Sequence, residues 1–181
     1  MADAVNIMLY STPSPDGSEG LAAWDIYKAE DAPKIRSFLK EHFKGQFIND
    51  PIHSQTFYLD IDLRRMLFDE HGVSAWRIYQ RPGDAVFIPA GCAHQVSTVL
   101  ADAFSPSLLF SFKVVNLADC IKVACDFVSP DNVERCSMLT REFREQNQAQ
   151  TWKEDVLQLS GMMWFCWLNL RKVEKGWRNE S

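Results

Sequence analysis

No pair of cysteines in this chain has the spacing Cys-x-x-Cys, and this absence bears on several protein classes. The five cysteines are odd in number and scattered, at Cys92, Cys120, Cys125, Cys136 and Cys166. Such spacing indicates neither a zinc ribbon nor a disulfide framework. Reduced thiols in a cytosolic or nuclear protein are the simplest interpretation.

Long apolar runs and an excess of basic residues are also missing. No run of about 18 apolar residues suggests a transmembrane helix, and the first residues lack the basic and apolar regions of a signal peptide. Nineteen Lys and Arg face 24 Asp and Glu, a net charge of −5. We therefore expect no membrane association and no direct nucleic-acid binding, whereas a basic peptide would suit this charge.

What the sequence does contain is enough apolar material for one domain. It has 181 residues, of which 46 % are hydrophobic. Strands are predicted over 3–10, 73–80, 85–88 and 119–128, and 24–27 is a short piece with apolar alternation. We expect the strands over 73–80 and 85–88 to pair with each other through the turn Arg81–Asp84. This order predicts a mainly β protein with flanking helices, in the α+β class.

Four helices are predicted from their caps and apolar spacing. The first starts at Asp31 and the second is capped by Asp60 or Asp62; the third starts at Ser129, and Thr151–Glu154 has the form of a capping box for the last. The expected buried positions are Ile35, Phe38, Leu39 and Phe43 in the first, Leu63, Met66 and Leu67 in the second, and Val133, Cys136, Leu139 or Met138, and Phe143 in the third. Gly72 is expected to end the second helix. Residues 129–181 form the C-terminal helical part, whose last helix carries Trp164, Phe165 and Trp167.

The stretch RPGDAVFIPAGCAHQV, at 81–96, is the one that points to chemistry. It predicts a turn, a short apolar strand, a second turn at Pro89–Gly91 and then a presented imidazole, His94. That arrangement suits a metal site in a β-barrel, although a turn histidine with a structural hydrogen bond has the same local pattern. One histidine does not make a metal site, so its partners must be found elsewhere.

Five stretches of the chain together resemble the JmjC domain of the hairless-type histone lysine demethylases. They are DAVNIMLY (3–10), AWDIYKAEDAPKIRSFL (23–39), DPIHSQTFYLD (50–60), GVSAWRIYQRPGDAVFIPAGCAHQV (72–96) and NLADCIKVACDFVSPDNVERC (116–136). The blocks GDAVFIPAGCAHQV and CIKVACDFVSP are the most specific of these.

This resemblance implies a double-stranded β-helix, the jelly roll of cupin-like proteins, that binds Fe(II) and 2-oxoglutarate. Such enzymes oxidise an N-methyl group to a hemiaminal, which releases formaldehyde. The implied substrate is mono- or dimethylated lysine 9 of histone H3, and the implied location is the nucleus. The implied partners are the histone H3 tail and chromatin proteins, and the C-terminal helices are expected to support a homodimer.

The resemblance also implies a metal held by two histidines and one carboxylate. The third ligand of that set corresponds to His94, whereas the first two form an HxD motif just before the strand DAVNIMLY. Here the chain starts after that place, and none of His42, His53 and His71 is followed two residues later by Asp or Glu. We therefore expect a single partial JmjC domain over 1–181, an incomplete jelly roll that binds Fe(II) weakly and is inactive as given.

Residues 97–115 depart from the same family, in which about one residue joins HQV to NL. The nineteen residues Ser97–Val115 stand in that gap as an atypical apolar insertion. Together with the start at an internal Met, this favours an imperfect gene model with a retained intron. The alternative is a diverged pseudoenzyme that serves as a non-catalytic chromatin- or partner-binding module; an unrelated cupin-type binder is a third interpretation.

Lys122 and Asn6 are the candidate cosubstrate-binding residues. Lys122 lies within the apolar strand Cys-Ile-Lys-Val-Ala, where an ammonium needs a partner or an outlet to water. It either reaches the carboxylate of 2-oxoglutarate or faces outward at a sheet edge. Asn6, on the strand DAVNIMLY, either lines the pocket or has a structural hydrogen bond.

Overall fold

Six antiparallel strands form two three-stranded sheets in the computed structural model, which describes residues 2–13, 17, 19–100, 119–145 and 158–179. The strands are β1 (Asp3–Ser11), β2 (Gly20–Ile26), β3 (Trp76–Gln80), β4 (Ala85–Ile88), β5 (His94–Leu100) and β6 (Cys120–Phe127). One sheet has the order β4-β1-β6 and the other β3-β2-β5. The predicted α+β class and partial jelly roll are confirmed by this architecture.

The two sheets enclose an apolar interior. Met8 of β1, Trp24 and Ile26 of β2, and Val86 and Ile88 of β4 are all at most 6 % exposed and belong to one cluster. Their alternation with residues on the opposite face is the period of two that a strand imposes. The sequence positions of the core therefore follow directly from strand geometry.

The expected pairing of β3 with β4 is wrong. β3 pairs with β2, with Trp24 opposite Ile78, whereas β4 pairs with β1, with Val5 opposite Phe87. The turn between them is present, since the Asp84 N–H donates to the Arg81 carbonyl at 3.0 Å. It carries the chain from one sheet to the other instead of closing a hairpin. The strand pattern and the turn are predicted correctly, but neither of them identifies the strand with which β3 or β4 pairs.

Helices α1 (Ala32–His42) and α2 (Ile61–His71) pack against each other beside the β3-β2-β5 sheet. Ile35, Phe38 and Leu39 of α1 are buried as predicted, in a cluster with Tyr27 that follows β2 and with Leu67 of α2. The partly buried Phe43, just after α1, packs against the same cluster.

The ends of α2 also agree with the sequence. Asp60 is the cap, because its carboxylate accepts hydrogen bonds from the Asp62 and Leu63 N–H groups, and Gly72 ends the helix in a left-handed conformation. The predicted burial of Met66 is wrong, since 37 % of it is exposed. Only a narrow stripe of α2, with Leu67 fully buried, faces the sheet.

Helices α3 (Val133–Glu145) and α4 (Leu159–Asn179) follow the last strand. Cys136 and Phe143 of α3 are buried as predicted. Of the two alternatives for the third position, Leu139 is partly buried against Cys136 and Met138 is 58 % exposed. The Ser129 hydroxyl does not cap a helix: a short 3-10 helix, Pro130–Asn132, precedes α3 and its N-terminus has no side-chain cap. None of the described helices is long and apolar enough to cross a bilayer.

Two expectations fall partly or wholly outside the described residues. Ser97–Leu100, the first four residues of the atypical apolar segment, belong to β5 and pair with β2, where Ser97 lies opposite Ala23. Residues 101–118 lie outside the described part, so the insertion over 97–115 stays a prediction. The capping box at Thr151–Glu154 also lies outside it.

Candidate functional site

His94 is the first residue of β5 and follows a tight turn. The Cys92 N–H donates to the Pro89 carbonyl at 3.1 Å, and Gly91 has a φ of +83°, a conformation that favours glycine. His94 lies opposite Ile26 in the sheet register, and its Nδ1 is 3.1 Å from the Cys92 carbonyl. The imidazole is exposed, so the turn presents it to solvent at the end of the sandwich.

Trp24 connects His94 to Lys122 across the interior. The Trp24 and His94 ring centroids are 6.1 Å apart, and Lys122 Nζ lies 5.2 Å from the Trp24 ring centroid. Lys122 is half-buried and approaches the ring from the other sheet, where it lies opposite Met8 of β1. It therefore faces the space between the sheets and not the outer surface.

The electrostatic setting of Lys122 suits an anionic ligand. Burial lowers the pKa of its ammonium, and the neighbouring Cys120 opposes this in part. An ammonium that has lost part of its hydration interacts strongly with a carboxylate, because the effective dielectric constant between them is low.

Gln80 joins Trp24 to Asn6 and is the site residue that the sequence analysis missed. The Trp24 indole donates to Gln80 Oε1 at 2.8 Å. Gln80 Nε2 donates to the Asn6 carbonyl at 2.9 Å and to the Asp84 carbonyl at 3.1 Å, with Asn6 Oδ1 at 3.5 Å. Gln80 has no exposed surface, so all of its polar atoms must be satisfied within the fold. The available signal was a polar Gln at the end of the strand Trp-Arg-Ile-Tyr-Gln.

These contacts place the three predicted site residues, His94, Lys122 and Asn6, around one tryptophan. Two come from the β4-β1-β6 sheet and one from the β3-β2-β5 sheet. Ala124, opposite Asn6 on β6, is exposed, so the space beside them opens to solvent along β6. The arrangement can hold a small anion against Lys122 with an indole ring as one wall.

The donors near His94 do not fit an iron ion with two histidines and one carboxylate. Among the described residues, one group of three His, Cys, Asp or Glu side chains has ligand atoms within 4.8 Å of one another: Asp50, His53 and Glu142. His94 is not part of it. No group of three such side chains among the described residues includes His94, and a centre of this kind needs three ligands.

The Asp50, His53 and Glu142 group is an ion-pair network around Arg36. The Arg36 guanidinium donates to the carboxylates of Asp50 and Glu142, and His53 Nε2 lies 3.0 Å from Glu142 Oε1. Asp50 also accepts hydrogen bonds from the Ile52 and His53 N–H groups. Because a cation already lies between the carboxylates, the network ties α1 to α3 and is not suited to a metal ion.

A second buried carboxylate, Asp25, anchors β5 from the outer side of its sheet. Arg77 Nε and Nη2 donate to Asp25 at 2.7 Å each, Arg64 Nη1 donates at 2.6 Å, and Gln95 Nε2 donates at 2.9 Å. Gln95, next to His94, also donates to the Leu59 carbonyl at 2.7 Å. These bonds fix the backbone that carries His94.

A cavity of about 320 Å³ lies beside this cluster, between α2 and the sheet. Tyr27, Phe68 and Val73 line it together with Asp25 and the two arginines. The Tyr27 hydroxyl is buried without a hydrogen-bond partner among the described residues. Burial, and after it the negative charge of Asp25, raises the pKa of Tyr27 well above its usual range.

Comparison with known proteins connects this fold to one family. The family model "JmjC domain, hydroxylase" matches residues 18–101. Lysine-specific demethylase 3A of Rattus norvegicus is 42 % identical over 167 residues, which are 87 % of this chain and 12 % of that protein.

Relatives from an insect and a plant match in the same way. Lysine-specific demethylase 3 of Drosophila melanogaster is 44 % identical over 156 residues, 83 % of this chain and 16 % of that protein. Lysine-specific demethylase JMJ26 of Arabidopsis thaliana is 38 % identical over 151 residues, 78 % of this chain and 15 % of that protein. The chain thus matches less than a fifth of the length of these relatives. With its two antiparallel sheets and the matched stretch around His94, the chain belongs to the JmjC domain family of histone lysine demethylases.

Proposed function

We propose that this chain is the cosubstrate-binding part of an Fe(II)- and 2-oxoglutarate-dependent histone lysine demethylase. The observation that carries the proposal is the placement of His94 and Lys122 about the same ring, Trp24, at 6.1 Å and 5.2 Å. In this role the Lys122 ammonium binds a carboxylate of 2-oxoglutarate, Asn6 lines the same space, and the His94 imidazole is one metal ligand.

The substrate and location belong to the same proposal. By family membership, the substrate is mono- or dimethylated lysine 9 of histone H3, and the protein works in the nucleus with chromatin proteins as partners. The net charge of −5 suits a basic histone tail. Because no group of three possible ligands among the described residues includes His94, we further propose that residues 1–181 alone do not demethylate.

Two measurements test this proposal. Purified protein, supplied with Fe(II), 2-oxoglutarate and a dimethylated histone H3 peptide, is expected to release no formaldehyde. Formaldehyde release that disappears in His94→Ala would contradict the proposed inactivity. Separately, titration with 2-oxoglutarate is expected to shift the NMR signal of the Trp24 indole N–H in the wild type and not in Lys122→Met.

A matched control for the titration is Lys40→Met, since Lys40 is an exposed lysine on α1. It removes the same charge from a helix instead of from β6. An equal loss of the Trp24 response in both variants would mean that net charge, and not Lys122, is responsible, and the cosubstrate-binding role would be abandoned.

A second candidate function is that of a non-catalytic module that binds a chromatin protein. The observation that favours it is the outer face of the β4-β1-β6 sheet, where Leu9, Phe87, Ile121 and Val123 are between 51 % and 63 % exposed. Apolar groups on both faces of a sheet are typical of a sheet that is covered on both sides. This function predicts binding of a partner that survives His94→Ala and is lost in Phe87→Glu.

For the C-terminal helices, we propose that they form the homodimer contact expected from the family resemblance. The α4 side chains Trp164 and Trp167 stack with centroids 5.1 Å apart, and both are about half exposed. Arg171 lies 5.3 Å from the Trp167 centroid. Sedimentation of the wild type as a dimer, and of Trp164→Glu as a monomer, is the expected result; a monomeric wild type would exclude this contact.

A further inference from the structure

Asp3 is a buried carboxylate whose partners come from three separate parts of the chain. It is 2 % exposed at the start of β1. Its Oδ1 accepts a hydrogen bond from the Ala90 N–H at 2.8 Å and one from Asn132 Nδ2 at 2.6 Å. Its Oδ2 accepts one from the Ser129 N–H at 2.8 Å. A buried charge costs little only when its lone pairs are satisfied in this way.

The Ala90 end of this network belongs to the turn that presents His94. Ala90 has no exposed surface and packs against Cys136 of α3. A side chain at Gly91 would meet Arg135 Cδ, also of α3, at 3.1 Å. The turn is thus held by the Asp3 carboxylate on one side and by α3 on the other.

The same carboxylate also fixes the start of α3, because Ser129 and Asn132 donate hydrogen bonds to it. The short 3-10 helix there has no side-chain cap of its own, so Asp3 takes the place that a capping side chain would occupy for the Ser129 N–H. The Asp3 carboxylate therefore joins the turn, through Oδ1, to the start of α3, through both Oδ1 and Oδ2, and it keeps the two at a fixed separation.

From this geometry we infer that Asp3 is a positioning residue for His94. The inference rests on the proposed role of His94, and it assigns Asp3 no contact with metal, cosubstrate or substrate. The Asp3 carboxylate sets the position of the Pro89–Cys92 turn, and that turn sets the direction of the imidazole. Removal of the carboxylate releases the turn from β1 and lets the imidazole take other orientations.

The test is a two-dimensional NMR spectrum of the chain with histidine rings labelled at Cε1, in which the four histidines give one signal each. Asp3→Ala is expected to move the His94 signal and to leave those of His42 and His71 in place. Hydrogen exchange at the Ala90 amide is expected to accelerate about tenfold or more, since that amide loses its acceptor.

Asp3→Asn is the second variant, with which the inference can still be tested if Asp3→Ala does not fold. An Asn side chain retains an oxygen for the Ala90 N–H but turns an amide group towards the Ser129 N–H. A smaller displacement of the His94 signal than in Asp3→Ala is expected. Asp60→Ala is the matched control, because it also removes a carboxylate that accepts two backbone N–H groups, at the start of α2.

The outcomes separate positioning from mere stability. A His94 signal that keeps its wild-type position in the folded Asp3 variants, with only the melting temperature lowered, overturns the inference. So does an equal displacement in Asp60→Ala. Because the ring signal is read without iron or 2-oxoglutarate, failure of cosubstrate binding or turnover would count against the proposed function alone.

Discussion

Lys122 Nζ lies 5.2 Å from the centroid of the Trp24 ring, although the two residues belong to different sheets. An ammonium over an indole face is favourable by about 0.5–2 kcal/mol, depending on how far both are desolvated. The contact explains how an apolar strand accommodates a lysine that faces the interior. It also keeps the ammonium on the same side of the fold as His94.

Replacement of Lys122 by Met is expected to change the free energy of unfolding by about 1 kcal/mol or less at pH 7, because the lost contact and the relieved desolvation offset each other.

The pH dependence of stability is more informative about Lys122. Since the folded-state pKa of Lys122 is lowered, the unfolded chain binds more protons, and this group makes stability rise as pH increases towards about 10.5. Urea unfolding at pH 7 and pH 10 should show that rise in the wild type and a smaller rise in Lys122→Met. An equal rise in both would assign it to other groups.

Asp25→Asn is expected to lower the free energy of unfolding by about 3 kcal/mol. It leaves the Arg64 and Arg77 guanidiniums without their shared carboxylate, whose side chain is 4 % exposed. The control is Asp62→Asn, which removes an exposed pair with Arg65 at 3.6 Å and should change stability by less than about 1 kcal/mol. Chemical unfolding of the two variants measures both effects. Similar losses of stability in the two variants would show that the Asp25 cluster contributes no more than an exposed ion pair.

Acid should destabilise the protein through three carboxylates. In Asp3, Asp25 and Asp50, burial favours the neutral form of the carboxyl group. Hydrogen bonds outweigh this in all three, together with neighbouring arginines in Asp25 and Asp50, and hold each pKa below its usual value. Their contribution to stability is therefore fully present above the unfolded-state pKa of about 3.9, and it is lost as pH falls through the lowered folded-state values. Urea midpoints at pH 6, 4 and 3 should fall steeply only at the lower end. A midpoint that stays constant down to pH 3 would contradict this reading.

Gly91→Ala is expected to destabilise the protein more than Gly83→Ala does. Both glycines have a positive φ, +83° and +92°, which costs a non-glycine residue about 1–2 kcal/mol. Only at Gly91 would the added methyl group also meet another residue, Arg135 Cδ at 3.1 Å; at Gly83 it would meet nothing within 4 Å. The difference in melting temperature between the two variants therefore measures the packing of the His94 turn on α3. Equal losses would mean that this packing adjusts freely.

Local sequence patterns predict much of the secondary structure and part of the candidate site. The Asp60 cap, the left-handed Gly72 and the buried face of α1 follow from interactions within a few residues of each other, and all three are present. The turn before His94 is of the same kind. The predicted burial of Met66 is wrong because the width of a helix's buried face depends on what packs against the helix. The predicted Ser129 cap is wrong because the group that caps a helix also depends on its neighbours in the fold.

The amino-acid sequence by itself determined the family and the strand and turn pattern around His94. It did not determine that β3 and β4 lie in different sheets, because alternation specifies the two faces of a strand and not its neighbour. Only the tertiary structure decided that Lys122, Trp24 and His94 meet, and that Asp3 joins the His94 turn to α3. These contacts link residues far apart in the chain, and their energy comes from burying and pairing groups that no local pattern brings together.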